Sequence, residues 1–308
     1  MIPGRRESDA PRVAGSGAGL DPSALEGLGD LELVARAAVD GFLSGLHRSL
    51  RFGFSLEFAD YRPYVPGDDP RFIDWNAYAR SGRSYLKRYV GETTTQLTLL
   101  LDASASMGVG SAGVGKLRYA KLLCAALATL AARQHDPVGL IVFDSEIREQ
   151  RPASARHGQL RALMHALERS EARSGTDFAR AFELLRRRAR RRGLVAVVSD
   201  FYGDPATWLE AVRPFAYRGH DVMLFQVLDP ADLEPELEGP TLLIDAETRG
   251  ELEVAPEAAR IHRERMRQHV DALQAAAGAV GADCVLMSTA QPLDAALRAY
   301  LAFRRRRP

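Results

Sequence analysis

The run Leu97-Thr-Leu-Leu-Leu-Asp-Ala-Ser-Ala-Ser-Met107 ends an apolar, strand-like stretch in one carboxylate and two hydroxyls at alternate positions. Asp102, Ser104 and Ser106 offer only oxygen, the donor type that Mg²⁺ or Mn²⁺ prefers, and their single formal charge would leave such an ion electrophilic and short of ligands. An ion held this way can take a carboxylate from an incoming partner. Two other segments carry matching chemistry. Val195-Ala-Val-Val-Ser-Asp200 brings a second carboxylate to the end of an apolar strand, and Ser174-Gly175-Thr176-Asp177, a loop opening a helix, offers the Thr176 hydroxyl. Capping would account for Asp102 to Ser106 taken alone. It does not require correlated oxygens on three separate segments.

These side chains can meet only if the elements beneath them form an open sheet. From Gln96 onward, strands at 97–101, 138–143, 194–199, 221–227 and 282–287 alternate with helices at 116–133, 159–169, 177–191, 206–215 and 293–304. That alternation predicts an α/β fold with a doubly wound, mostly parallel sheet. In such sheets, ligands gather outside the carboxyl ends of strands where the strand order reverses, so Asp102 and Asp200 are expected to flank that point. Between the last two strands, 230–281 reads as an insertion: a hairpin turning at Thr248-Arg249-Gly250, then an amphipathic helix from Glu257. Residues 1–19 have the Gly, Pro, Arg and Ser content of a disordered tail. Residues 20–95 form an N-terminal region, with helical spacing behind an Asp30 cap and then aromatic strands and loops, and 96–305 form the main domain.

Composition sets further bounds. The 308 residues, 46% of them hydrophobic, suffice for a full core. A net charge of +1 argues against a dedicated nucleic-acid binder. The arginine runs at Arg186 to Arg192 and Arg304 to Arg307 are read as solvated faces. No apolar run reaches the ~18 residues of a membrane span, and no secretory pattern opens the chain, so a cytoplasmic location is expected. Cys124 and Cys284 read as small buried hydrophobes.

The motif Asp-x-Ser-x-Ser with a later Thr and a strand-end Asp resembles the metal-ion-dependent adhesion site of von Willebrand factor A domains. The resemblance implies that Ser104, Ser106 and Thr176 bind Mg²⁺ or Mn²⁺ through hydroxyls, that Asp102 and Asp200 act largely through waters, and that a partner supplies an Asp or Glu. Upstream, Glu57 to Arg71, Ile73-Asp-Trp75, Ala79-Arg80 and Tyr85-Leu-Lys87 resemble the signature of the bacterial domain of unknown function 58 family. Proteins of that family are commonly encoded beside MoxR-type AAA+ ATPases, which implies a partner or adaptor of such an ATPase rather than an enzyme.

The rival reading is a Mg²⁺-dependent phosphohydrolase, in which a strand-end Asp attacks phosphorus beside a charge-stabilising lysine. The sequence places Lys116 and Lys121 on the following helix as solvated residues and so withholds that lysine. No GxxxxGK[ST] loop is present, since Lys116 precedes Leu117. The acids Asp60, Asp68, Asp69 and Asp74 read as turn and cap residues, and the scattered histidines carry no predicted role. Specificity is expected from the loops Gly108 to Gly115, Asp177 and Phe201 to Asp204.

Overall fold

The computed structural model describes residues 30–49, 58–63, 75, 78, 82–89, 95–110, 113–173, 175–188 and 192–305. The proposed tail at 1–19, most of the signature between Glu57 and Arg80, Ser174, and Arg190, Arg191, Arg306 and Arg307 lie outside these residues.

Continuous apolar runs become central strands because, with helices on both sides, neither face of a parallel sheet meets water. Strands β3 (Gln96–Asp102), β4 (Val138–Phe143), β6 (Gly193–Ser199) and β7 (Asp221–Leu228) are buried almost throughout. With β5 (Ile147–Ser154) and β10 (Asp283–Ser288) they form a six-stranded sheet in the order β10-β7-β6-β3-β4-β5. Every neighbouring pair is parallel except β4 and β5. The chain runs outward from β3 through β4 to β5, then restarts on the other side at β6. The order therefore reverses between β3 and β6, the two strands that carry Asp102 and Asp200.

Strand β5 is not evident in the sequence. Its run Ile-Arg-Glu-Gln-Arg-Pro-Ala-Ser is polar and contains Pro152, which is tolerated because β5 is an edge strand.

Helices cover both faces. On one, α1 (Leu31–Ser49), α2 (Lys116–Arg133), α3 (Gln159–Arg169) and α8 (Asp294–Arg305) pack over Leu97, Leu99 and Leu101. On the other, α4 (Phe178–Arg188), α5 (Pro205–Tyr217) and α7 (Ala258–Ala279) pack over Leu100, Val195 and Val197. The odd and even residues of β3 divide between the two cores, as strand alternation requires. Helix α1 is continuous, and its first turn is capped by Asp30, whose Oδ1 accepts from Glu32 N and Leu33 N.

Outside the sheet, β1 (Phe58–Pro63) and β2 (Tyr85–Tyr89) make an antiparallel ribbon. A short helix α6 (Pro230–Leu233) follows β7, and β8 (Thr241–Ile244) pairs with β9 (Glu251–Val254) as the expected hairpin. Among the described residues no helix is long and apolar enough to cross a membrane.

The edge pairing relies on a close backbone approach. A Cβ added at Gly139 would stand 2.7 Å from Ala153 N and 2.9 Å from Arg151 O, beside a register shift in the β4–β5 pairing. Backbone on both sides leaves little room to relax. Gly139→Ala is expected to destabilise the fold by about 1–3 kcal/mol, lowering the midpoint of chemical denaturation. An unchanged midpoint would refute the tight approach of β5 at this position.

Candidate metal centre

Strand β3 carries Asp102 to the carboxyl end of the sheet, and a 3₁₀ turn, Ala105–Gly108, follows closely. The Asp102 side chain is 0% exposed. Its Oδ1 accepts from Ser104 N at 2.9 Å, while its Oδ2 accepts from Ser199 Oγ at 2.6 Å and, more loosely, from Thr176 Oγ1 at 3.4 Å. The Ser104 and Ser106 hydroxyls are 3.1 Å apart and hydrogen-bonded to one another. Ser104 and Thr176 thus bond to Asp102 directly, Ser106 is tied in through Ser104, and Asp200, at the end of β6, lies close enough for its charge to act on Asp102.

The Thr176 loop is pinned at two points. Arg173 N donates to Ala103 O at 2.8 Å, and Asp177 N donates to Asp144 O at 2.9 Å, so the ends of β3 and β4 both hold it. Gly108 makes this possible, because a Cβ there would meet the Ala172 Cβ at 2.8 Å. Asp144 is itself fixed by Arg148 Nε at 2.6 Å and Glu146 N at 2.8 Å.

Ser199 was not singled out by its sequence context, yet it organises this end of the sheet. Its hydroxyl donates to Asp102 and accepts from Phe201 N at 2.9 Å. Phe201 adopts φ 54°, a costly conformation for a bulky residue. It is retained by stacking on Phe178 and an edge contact to Trp208.

The two carboxylates differ in their surroundings. Burial, and next the charge of Asp200, push the Asp102 carboxyl up to about 7, while hydrogen bonds from Ser199 and Ser104 pull the other way. Asp200 Oδ2 instead accepts from Lys116 Nζ at 3.0 Å.

This corrects the expectation of a solvated Lys116. The side chain is 1% exposed, turns inward from the first turn of α2, and also lies 3.2 Å from Asp232 Oδ2 and 4.6 Å from the Tyr202 ring centre. Lys121 is half-buried as well, donating to the carbonyls of Glu168 and Ser170. The available signal was position, since Lys116 follows the Gly-rich loop that leads out of the serine motif.

His269 Nε2 is 2.9 Å from Phe201 O and His262 Nε2 is 2.8 Å from Asp232 O, so two histidines read as having no role tie α7 to the loops beside the site. Arg186 and Arg187 are exposed and pair with Glu183 on their own helix, as a solvated face does. Cys124 is buried. Cys284 is only half-buried, and burial still pushes its thiol up to about 12, well away from nucleophilic character.

The donor set suits a hard ion. Among the described residues no three His, Cys, Asp or Glu side chains group as a metal cluster. The candidate shell instead has two carboxylates and three hydroxyls, which matches Mg²⁺ or Mn²⁺ and offers nothing to softer ions. Among the described residues Asp102 has hydrogen-bond donors but no cationic partner. A buried carboxylate in that setting is the group a bound cation would stabilise most.

Residues 60–276 match the family described as "Protein of unknown function DUF58". Uncharacterized proteins of Mycobacterium tuberculosis and Mycobacterium bovis are each 33% identical over 232 residues, covering 74% of this chain and 72% of the relative. Among solved structures, an aerotolerance-related membrane protein from Bacteroides fragilis superposes with TM-score 0.50 at 18% identity, covering 68% of this chain and 99% of that one. The von Willebrand A domain of SpRpn10 gives TM-score 0.40 at 12% identity over 67% of this chain and 95% of that one.

A raised carboxyl has a defined effect on stability. Between the ordinary aspartate value near 4 and the folded value of about 7, the folded state binds the extra proton. Metal-free protein should therefore lose stability as pH rises through this window, by on the order of 4 kcal/mol at most. Asp102→Asn removes the charge and should flatten that decline while abolishing stabilisation by Mg²⁺. Thermal melts at pH 5 and pH 8, in chelator and in Mg²⁺, test both effects. Equal pH slopes for the two proteins would show that Asp102 is not the titrating group.

Proposed function

The chain belongs to the DUF58 family and has a von Willebrand A-like sheet, and from that premise we propose that it is a non-enzymatic, metal-dependent protein-interaction module. The observation that carries the reading is the convergence of Asp102, Ser104, Ser106, Thr176 and Asp200, from three segments, at the point where the strand order reverses. Mg²⁺ held there would supply an electrophilic position for a carboxylate oxygen from a partner.

The chain's residues divide the work. Ser104, Ser106 and Thr176 present hydroxyls to the ion, with Ser106 and Thr176 nearer the surface. Asp102, held by Ser104 N and Ser199 Oγ, supplies negative charge from behind. Lys116 is shared between Asp200 and Asp232, so Asp200 is partly neutralised and Asp102 is left as the carboxylate with hydrogen bonds alone, which would suit a divalent ion still open to another anion. The partner that fits this reading is a MoxR-type AAA+ ATPase or its client, offering an Asp or Glu.

Lys116 also favours a second reading, Mg²⁺-dependent phosphoester hydrolysis, because it puts a buried lysine beside a strand-end carboxylate. Its ammonium is, however, bound to Asp200 and Asp232, while the would-be nucleophile Asp102 is fully buried with both oxygens engaged. Turnover of generic phosphoesters that is lost in Asp102→Asn would establish that reading.

Affinity capture from native lysate, with wild type and Asp102→Ala each in Mg²⁺ and in chelator, tests the module. An AAA+ ATPase retained by wild type in Mg²⁺ alone is the expected result. Retention indifferent to both metal and mutation would overturn it.

A further inference from the structure

The segment between β7 and β10 divides its charge into two blocks. Nine residues from Asp232 to Glu257 are acidic and Arg249 alone is basic, whereas Arg260, Arg263, Arg265 and Arg267 follow at once against a single acid, Glu264. The acidic block comprises the β8–β9 ribbon and its flanks, and the basic block is the first half of α7. The two adjoin in sequence without pairing. Among the described residues no salt bridge joins the ribbon to α7, and none involves Glu251, Glu253 or any of the four arginines.

Neither block is explained by its own element. Arginines in the first turns of a helix sit at the positive end of its dipole, where basic side chains are disfavoured, and α7 has no acid in its first turn to offset them. Arg260, Arg263 and Arg267 recur at i, i+3 and i+7, so they line up in one exposed row. The ribbon, for its part, exposes both faces. Leu243 stands opposite Leu252 on one, while on the other Leu242 and Ile244 stand opposite Glu253 and Glu251. Those four apolar side chains are 45% to 62% exposed. Strands β8 and β9 pair only with each other, and a lone two-stranded ribbon is marginally stable until an apolar face is covered. A contiguous apolar strip edged by charge marks a contact surface. The exposed side of α7 carries an apolar residue of its own, Ile261, among its arginines.

We propose that this inserted segment is a self-association surface, in which the ribbon of one copy of the chain lies against the arginine row of α7 in a second copy, and the second ribbon against the first helix. Both complementary blocks belong to one segment, so a two-fold axis satisfies them together, as a self-complementary interface requires. Glu251 and Glu253 then meet Arg263 and Arg267, while Leu242 and Ile244 cover Ile261 and the aliphatic stems of the arginines. A foreign partner would have to carry a basic and an acidic block side by side in the matching order. A second copy supplies both by symmetry. None of these residues belongs to the metal centre, so the association is independent of it.

Sedimentation velocity of the full chain over a concentration series, at low and at high salt, tests the surface. Wild type should form a dimer that weakens about 10-fold or more at high salt, since the contact pairs exposed charges. Glu251→Arg with Glu253→Arg makes the ribbon face basic like the helix, and Arg263→Glu with Arg267→Glu makes the helix row acidic like the ribbon. Each double variant alone should sediment as a monomer, with circular dichroism showing a retained fold. An equimolar mixture of the two should restore the dimer, because each reversed block then faces its opposite in the other chain. A wild type that is monomeric at every concentration overturns the inference. So does a dimer that either charge reversal leaves intact, which would place the interface elsewhere, and so does a mixture that stays monomeric, which would show that the two blocks do not meet.

Discussion

One buried carboxylate sets the conditions for everything around it. Asp102 stands where the strand order reverses, fully buried, with its oxygens held by Ser104 N, Ser199 Oγ and, loosely, Thr176 Oγ1. An ionised group in that position is costly unless hydrogen bonds or a cation offset the lost hydration. Among the described residues the chain supplies the hydrogen bonds and sets no cation against it. The 3₁₀ turn, the bonds of Arg173 N to Ala103 O and of Asp177 N to Asp144 O, and the strained backbone of Phe201 all serve to aim donors at this one residue.

The contrast with Asp200 shows that the arrangement is selective. Two acids on adjacent strands could each have been given a basic partner. Among the described residues Asp200 receives one and Asp102 does not, and Lys116 reaches Asp200 from the first turn of α2, shared with Asp232 and lying against Tyr202. Breaking a buried pair of this kind strands a charge, which costs more than the pair contributes. Lys116 therefore acts as a fixed part of the scaffold. Because it partly neutralises Asp200, the site's residual negative charge is concentrated at Asp102 and the hydroxyls beside it.

Legibility in the sequence followed how much of each element's fate was decided locally. Strands β3, β4, β6 and β7 were readable to within a residue or two because burial on both faces demands unbroken apolar runs, and α2 and α3 because their spacing and length leave no alternative. Asp102 and Asp200 could be named because each stands at the end of a readable strand, and Ser104, Ser106 and Thr176 because the motif's spacing sets hydroxyls beside them. Residues that matter through long-range contact were not legible. Strand β5 has a polar sequence and exists only because β4 offers an edge. Lys116 has the sequence context of any helical lysine, and its burial depends on α6 placing Asp232 nearby. Ser199 reads as the last residue of a strand, and His262 and His269 acquire roles only when α7 packs beside the 201 and 232 loops.

A metal–carboxylate contact recognises any accessible Asp or Glu, so discrimination between partners must come from what surrounds it. The sequence pointed to Gly108 to Gly115, Asp177 and Phe201 to Asp204 for this role. Phe201 cannot serve, since it is buried against Phe178 and Trp208. Its strained backbone does something else: it turns Tyr202 outward, partly exposed, above Lys116. Val109 is exposed at the end of the 3₁₀ turn, and Glu247 of the β8–β9 hairpin lies beside Gly175. An aromatic ring, one aliphatic side chain and an acid are therefore exposed on the loops that follow β3 and β6 and on the hairpin. On the docking reading, a partner must bring its carboxylate on a segment with apolar flanks, because a uniformly acidic one would gain nothing from Val109 or Tyr202 and would be repelled by Glu247.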